Sequence, residues 1–299
     1  MLLSRSRAYC CSLAFLTWNR IILGSAAFQR PSFVSFSSWH SPSALLPAHH
    51  SKKVAPTVSV RMSSSDATTV DVGAHLEEVR EAIAQACQAA GRESSDVRLV
   101  AVSKTKPLEL VQAAYDCGQR VFGENYAQEL VEKAQAIGKD DVQWHFIGGL
   151  QSNKANMLVK GVVPYGKLVV ETVNSIKVAK KLDSAMSEFD GKTLEVFVQI
   201  NTSGEDTKSG VSADEAVELC QQITNECERV KLKGVMTIGA PGDETCLDAL
   251  VACRNLIAEK LEMDPKDLEV SMGMSDDFAV AIQKGSTNVR VGSVIFGAR

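Results

Sequence analysis

The chain has 299 residues, 45% of them hydrophobic and 23% charged, with 20 Gly and 8 Pro; such values exclude a collagen, a coiled coil and disorder throughout. No apolar run reaches the roughly 20 residues that a membrane-spanning helix requires, which argues against a polytopic membrane protein. The formal net charge of −4 hides an asymmetry: residues 1–65 hold seven Arg and Lys and no Asp or Glu, so the remainder carries −11, which disfavours nucleic acid as a partner.

Residues 1–65 read as a targeting presequence without fixed structure, rich in Ser and Arg and lacking acid. Arg5 and Arg7 precede the apolar run Cys10–Trp18, and small residues at Gly24–Ala27 are followed by Phe28. A signal-like stretch, a small-residue–Phe junction and a basic Ser-rich remainder resemble the two-part presequences of secondary plastids. A plastid is therefore the expected destination and a mitochondrion the alternative. Met62, followed by Ser63–Ser65, offers an internal start that would give a cytosolic product. The folded domain is expected from residue 66 to 299, with no membrane association in the mature form.

The spacing predicts an opening helix from His75 to about Ala90, ending near Gly91. The β-branched run Val97–Lys104 is a strand, and Pro107 suits the first turn of the helix after it. Arg120–Glu124 is the second strand, with a helix over 126–137, and Val142–Gly148 is the third, with a helix over 151–159. Lys167–Val173 and Leu194–Asn201 follow as strands four and five, with helices over 175–188 and 212–228. Leu232–Ala240 is strand six, its helix 246–261. Leu268–Met274 is strand seven, leading to a short helix over 276–284 that Ser275 is expected to cap. Val289–Phe296 is strand eight.

Eight strand–helix units in about 200 residues, with nearly continuous apolar strands, point to a parallel sheet. Eight is the number that closes a (β/α)8 TIM barrel, here with an extra N-terminal helix; a doubly wound open sheet is the alternative. No Gly-x-Gly-x-x-Gly leads from a strand into a helix, so dinucleotide binding has no support. Six cysteines remain after residue 65. Cys220/Cys227 and Cys246/Cys253 are each seven apart, about 10 Å along a helix axis, too far for an easy disulfide or a shared tetrahedral zinc, and they are expected to be buried thiols. No metal site is expected.

In a barrel the site lies at the C-terminal strand ends, where the polar residues are Lys104, Glu124, Asn125, His145, Asn201, Ser275 and Arg290. Lys104 shares strand parity with Val100 and Val102. It thus emerges from an apolar face, where lost hydration favours the free amine that forms Schiff bases; a lysine that merely reaches solvent is the plainer reading. Lys106 has the same parity but sits beside Pro107 and is the weaker candidate. His145, between Trp144 and Phe146, is either a satisfied barrel residue or a ligand contact. Barrels often hold phosphate in the loops after strands seven and eight, and here those loops supply Ser275, Gly292 and Ser293. Asp276 and Asp277 would repel an anion if they faced it. Arg290 in an apolar strand needs a partner: an aromatic ring nitrogen, or Glu124 or Glu171.

Six blocks in order, Ala101–Pro107, Phe122–Tyr126, Trp144–Gly148 with Leu150–Lys154, Gln199–Asn201 with Lys208–Gly210, Gly273–Asp277 and Val289–Arg299, resemble the pyridoxal phosphate homeostasis family over about residues 74–299. That resemblance implies a fold-type III barrel binding pyridoxal 5′-phosphate (PLP), with Lys104 as the Schiff-base lysine, Ser275, Gly292 and Ser293 at the phosphate and Arg290 at the pyridine nitrogen. The last assignments also rest on similarity to the barrel of alanine racemase, which has the same Arg-x-Gly element. Asn125 and His145 complete the candidate cofactor contacts. The chain departs from the family at Gly149, in a position that varies, and in stopping at Arg299 without a few further residues.

Arginine at the pyridine nitrogen makes a weak electron sink, and a racemase needs acid/base groups on both ring faces. One of them, in alanine racemase, comes from a second domain for which no residues follow the last strand here. The expected function is therefore a PLP carrier and buffer without appreciable catalysis, acting as monomer or weak homodimer and passing PLP to apo forms of PLP-dependent enzymes. The alternatives are a slow racemase or lyase using Lys104 with Tyr126 or His145, and a scaffold whose ligand regulates a partner. Lys154 and Lys208 are possible secondary PLP lysines.

Overall fold

A computed structural model describes residues 70–204, 209–240 and 242–298. The presequence assigned to residues 1–65, and Lys208, lie outside the described residues. Helix α1 (Val72–Ala89) opens the fold. Asp71 precedes it, and its Oδ1 accepts from the Ala74 amide at 3.0 Å, satisfying one of the orphan donors of the first turn. Strands and helices then alternate: β1 Arg98–Val102, α2 Leu108–Asp116, β2 Val121–Glu124, α3 Ala127–Ile137, β3 Gln143–Phe146, α4 Ala155–Val162, β4 Lys167–Val173, α5 Ile176–Ala185, β5 Leu194–Gln199, α6 Ala213–Glu226, β6 Val230–Met236, α7 Thr245–Lys260, β7 Glu269–Ser271, α8 Phe278–Gln283, β8 Asn288–Val291 and α9 Ser293–Phe296.

The strands pair in chain order, all parallel, and β8 returns to β1 with Arg98 opposite Asn288 and Ala101 opposite Val291. The sheet is a closed (β/α)8 barrel and the open-sheet alternative falls. Outward side chains such as Phe122 and Trp144, with ring centroids 5.4 Å apart, fill the layer between sheet and helices. Burial of each such ring contributes about 2–3 kcal/mol. Val169, Phe197 and Met236 form a separate small cluster on the inward face. At the N-terminal end, Arg98 Nη1 meets Glu269 Oε2 at 2.6 Å.

The helix after β8 has only four residues, too few to cover a strand. Helix α1 packs against α8 and α9 instead, burying Val72 and Leu76 beside Ile295 and Phe296, with His75 Nδ1 3.2 Å from the Ile295 carbonyl. The extra N-terminal helix thus completes the outer ring.

Strands six and seven end at Met236 and Ser271, earlier than the expected Ala240 and Met274, and two further expectations fail locally. The segment Val289–Phe296 is strand only to Val291; the chain breaks at Gly292 and residues 293–296 turn helical. Gly292 passes so close to β1 that an added Cβ would lie 3.0 Å from the Val102 carbonyl oxygen, and straight strand geometry ends there. Nor does Ser275 cap a helix. Residue Asp277 precedes α8, its Oδ1 accepts from the Met274 amide at 2.6 Å, and this turn leaves Ser275 directed toward the end of the chain. Cys87, Cys220, Cys227, Cys246 and Cys253 are buried free thiols, as expected, while Cys117 is exposed. Burial pushes the Cys220 thiol up to about 12 and that of Cys253 to about 11, so both stay protonated at neutral pH.

Candidate functional site

The C-terminal ends of β1, β7 and β8 meet around a cavity of about 230 Å³. Val102, Ile147 and Met274 give it apolar walls. Its polar groups are Lys104, Lys106, Ser275, Arg290 and Ser293, with Gly292 between the last two. Strand ends at this face of a barrel are where site residues collect, because the loops that follow them are free to vary.

Lys104 lies two residues beyond β1 in a tight turn closed by the Lys106 amide donating to the Ser103 carbonyl at 3.0 Å. Thr105, next in the turn, has φ +61. A left-handed β-branched residue costs roughly 1–2 kcal/mol and persists only where the surroundings enforce it. Lys106, the weaker candidate by sequence, also lines the cavity, and its Nζ donates to the carbonyls of Gly297 and Ala298 at 2.9 and 2.8 Å.

Opposite, Ser275 Oγ accepts from the Gly292 amide at 3.5 Å and lies 3.3 Å from Ser293 Oγ. Two hydroxyls and a long, weakly engaged backbone amide around a glycine form a small donor cradle of the kind that takes an anionic oxygen group. The Asp277 carboxylate is tied back to Met274.

Arg290 is buried. Its Nη2 donates to the Thr237 carbonyl and its Nη1 to Ser271 Oγ, both at 2.7 Å. Arginine only donates, so the Ser271 proton must point onward to Glu171 Oε2, 2.5 Å away. The other Glu171 oxygen meets His145 Nδ1. Burial alone would raise the Glu171 carboxyl, but hydrogen bonding and charge from His145, the Arg290 cation and the Ser271 hydroxyl together hold it below the usual carboxylate range. With Glu171 ionised, His145 donates through Nδ1. His145 Nε2 is buried without a hydrogen-bond partner among the described residues. The Arg290 partner foreseen in sequence is thus Glu171, reached through a serine.

Of the sequence-derived candidates, Lys104, Ser275, Arg290, Gly292 and Ser293 come together in this cavity. His145 and Asn125 stand outside its lining. Asn125 follows β2, its Oδ1 buried without a partner among the described residues, and its backbone packs so tightly on Gly148 that a Cβ there would lie 1.9 Å from the Asn125 carbonyl oxygen. Glu124 points outward from the barrel, where Ser103 Oγ donates to its Oε1 at 2.7 Å. Asn201 binds the Ser203 amide through Oδ1 at 3.2 Å. Sequence reasoning passed over Ser271 and Thr237. For Ser271 a polar residue at an inward position of an otherwise buried strand was the available signal, whereas Thr237, just past β6, meets Arg290 through its backbone carbonyl, which no side chain announces. Among the described residues no cluster of three His, Cys, Asp or Glu suits a metal ion, and no helix is long and apolar enough to cross a membrane.

Chemically, the cavity offers an amine that can attack a carbonyl carbon, a guanidinium in one wall and an anion cradle in another. Residues 74–299 match the family model described as alanine racemase, N-terminal domain. The pyridoxal phosphate homeostasis protein of Pongo abelii is 41% identical over 251 residues, covering 79% of this chain and 90% of the relative. That of Caenorhabditis elegans is 44% identical over 229 residues, covering 73% and 92%. PipY of Synechococcus elongatus PCC7942, solved with PLP bound, superposes with a TM-score of 0.63 at 29% identity, covering 76% of this chain and 100% of PipY.

Proposed function

The chain belongs to the pyridoxal phosphate homeostasis protein family, on a barrel of the alanine racemase N-terminal type, and from that premise we propose that it binds PLP reversibly through Lys104 and serves as a reserve and carrier of that cofactor. The observation that carries this reading is the meeting of Lys104, Arg290 and the Ser275–Gly292–Ser293 cradle in one cavity. The donor set fits: a cradle for phosphate, an amine for an aldehyde, and a cation that does not give a ring nitrogen its proton. PLP, when bound, supplies an electrophilic aldehyde carbon. Lys104 is the residue that would hold that carbon as a Schiff base, with water as the other product. Arg290, unable to accept a hydrogen bond, favours an unprotonated pyridine nitrogen and so a poor electron sink.

Two observations favour carriage over turnover. Tyr126, a candidate acid or base, is 58% exposed, and His145 is buried with Nδ1 committed to Glu171. Tyr126, Ile238 and Val294 are exposed apolar side chains after β2, β6 and β8, surface that a recipient apo-enzyme would meet. An address on residues 1–65 would place this reserve in a plastid. Stopped-flow reconstitution of an apo-PLP enzyme tests the reading. The loaded protein should deliver PLP faster than spontaneous release into a trap, with no amino acid turned over. Transfer no faster than release, or steady turnover lost in Lys104→Ala, would overturn the carrier in favour of a buffer or an enzyme.

The cradle has its own test. Ser275→Ala combined with Ser293→Ala removes two hydrogen bonds to an anionic group, about 1.5 kcal/mol or more each. Affinity for PLP should fall at least about a hundredfold, while that for pyridoxal, which lacks the phosphate, should change less than about threefold. Equal losses for the two ligands would place the phosphate elsewhere.

A further inference from the structure

The turn that carries Lys104 is held from outside the barrel by groups that never reach the cavity. Lys133, on α3, is buried, and its Nζ donates to three acceptors at 2.7 Å: the Ser103 carbonyl, Glu124 Oε1 and Glu129 Oε1. An ammonium has three protons, so Lys133 is fully used. Glu129 Oε1 also accepts from the Thr105 amide at 2.6 Å, and Ser103 Oγ donates to Glu124 Oε1 at 2.7 Å. The residues on both sides of Lys104 are therefore fastened, one through its carbonyl and hydroxyl, the other through its amide.

The held residue is the one in an unfavourable conformation. A turn with a left-handed third residue favours glycine there, yet Thr105 occupies it at φ +61. The bond from its amide to a carboxylate is charge-assisted and stronger than a neutral one. The strain at Thr105 and the clamp on its amide thus belong to one device.

We propose that Glu129 and Lys133 of α3, acting with Glu124 of β2, are positioning residues that hold the Ser103–Lys106 turn so that Lys104 presents its amine to the cavity. The inference rests on Lys104 being the PLP lysine. Without the clamp, Thr105 relaxes to negative φ and Lys104 spends less time in the competent position, so PLP affinity falls by the lost fraction. A merely structural stitch between α3 and the sheet would lower stability and leave the affinity of the folded protein alone.

The test uses the full chain and PLP, reading the dissociation constant from the absorbance of the Schiff base, the site of attachment by borohydride reduction and peptide mapping, and the thermal midpoint without PLP. Lys133→Met strands the buried Glu124 carboxylate and the partly buried one of Glu129 and invites loss of folding, so the informative variants are at Glu129 and Thr105. Glu129→Ala should raise the dissociation constant about tenfold and lower the midpoint by only a few degrees. Glu129→Gln, whose amide oxygen still accepts from Thr105, should lose clearly less. Thr105→Gly added to Glu129→Ala should recover most of the affinity without recovering the midpoint, because glycine adopts positive φ freely. An unchanged dissociation constant in Glu129→Ala, or a loss that Thr105→Gly does not repair, would overturn the inference while leaving Lys104 as the PLP site. Absence of labelled Lys104 in the wild-type chain would overturn both the inference and the function on which it rests.

Discussion

Lys104→Ala is expected to abolish the Schiff-base absorbance and weaken PLP binding at least about a hundredfold, since a covalent attachment is replaced by the cradle and ring contacts alone, worth a few kcal/mol. The variant should stay folded. Lys104 is only partly buried at the mouth of the barrel, and truncating such a side chain changes stability by about 0.5 kcal/mol. Lys104→Arg should behave like the alanine variant, because a guanidinium remains charged and is not nucleophilic. Titration with PLP followed by absorbance, beside a thermal melt of each protein, checks both parts. Wild-type affinity in Lys104→Ala would move the attachment to another amine, Lys106 being the other lysine of the cavity wall.

Glu171→Gln is the second large effect. Glu171 is fully buried and stands between two donors, the Ser271 hydroxyl that relays Arg290 and the His145 ring. Neutralising it leaves the buried Arg290 cation without its counter-charge. Loss of one partner from a buried ionic network costs about 3–5 kcal/mol, a fall in melting temperature of roughly 6–20 °C for a domain of this size. The pH dependence has a definite sign. The folded-state value of Glu171 lies below its ordinary 4.5, so its contribution is present in full above that value and drains away as pH falls through the depressed one. The deficit of Glu171→Gln against wild type should therefore be constant from about pH 5 to 8 and narrow only in stronger acid. A deficit that grew toward acid pH would mean that Glu171 is protonated in the native protein and the relay runs the other way. PLP affinity should fall with stability, because Arg290 would lose its present place in the cavity wall.

What the sequence disclosed, and what it did not, follow from the same physics. Eight buried parallel strands read as apolar runs because both faces are covered, so the barrel and its closure were legible. So were the residues whose chemistry is unusual for their position: Lys104 at the end of an apolar strand, Arg290 inside one, and Gly292 where the backbone must pass close. The edges were not. Val289–Phe296 continues in β-branched and aromatic residues beyond the point where tertiary crowding at Val102 ends the strand, and local propensity carries no trace of that neighbour. Ser275 was correctly placed near Gly292 and Ser293 but wrongly given a helix cap, because Asp277 two residues on competes for the same turn. The relay through Ser271 and the clamp at Lys133 join residues far apart in the chain, and only the closed barrel brings their registers together.

The most direct measurement is borohydride reduction of the full chain loaded with one equivalent of PLP, followed by proteolysis and mass mapping of the reduced adduct. The expected result is a single dominant phosphopyridoxyl modification on the peptide carrying Ser103-Lys104-Thr105, absent from Lys104→Ala. A modification spread over surface lysines, or one that persists undiminished in Lys104→Ala, would contradict the account: the cavity of Lys104, Arg290 and Ser275 would then not be where this protein holds PLP.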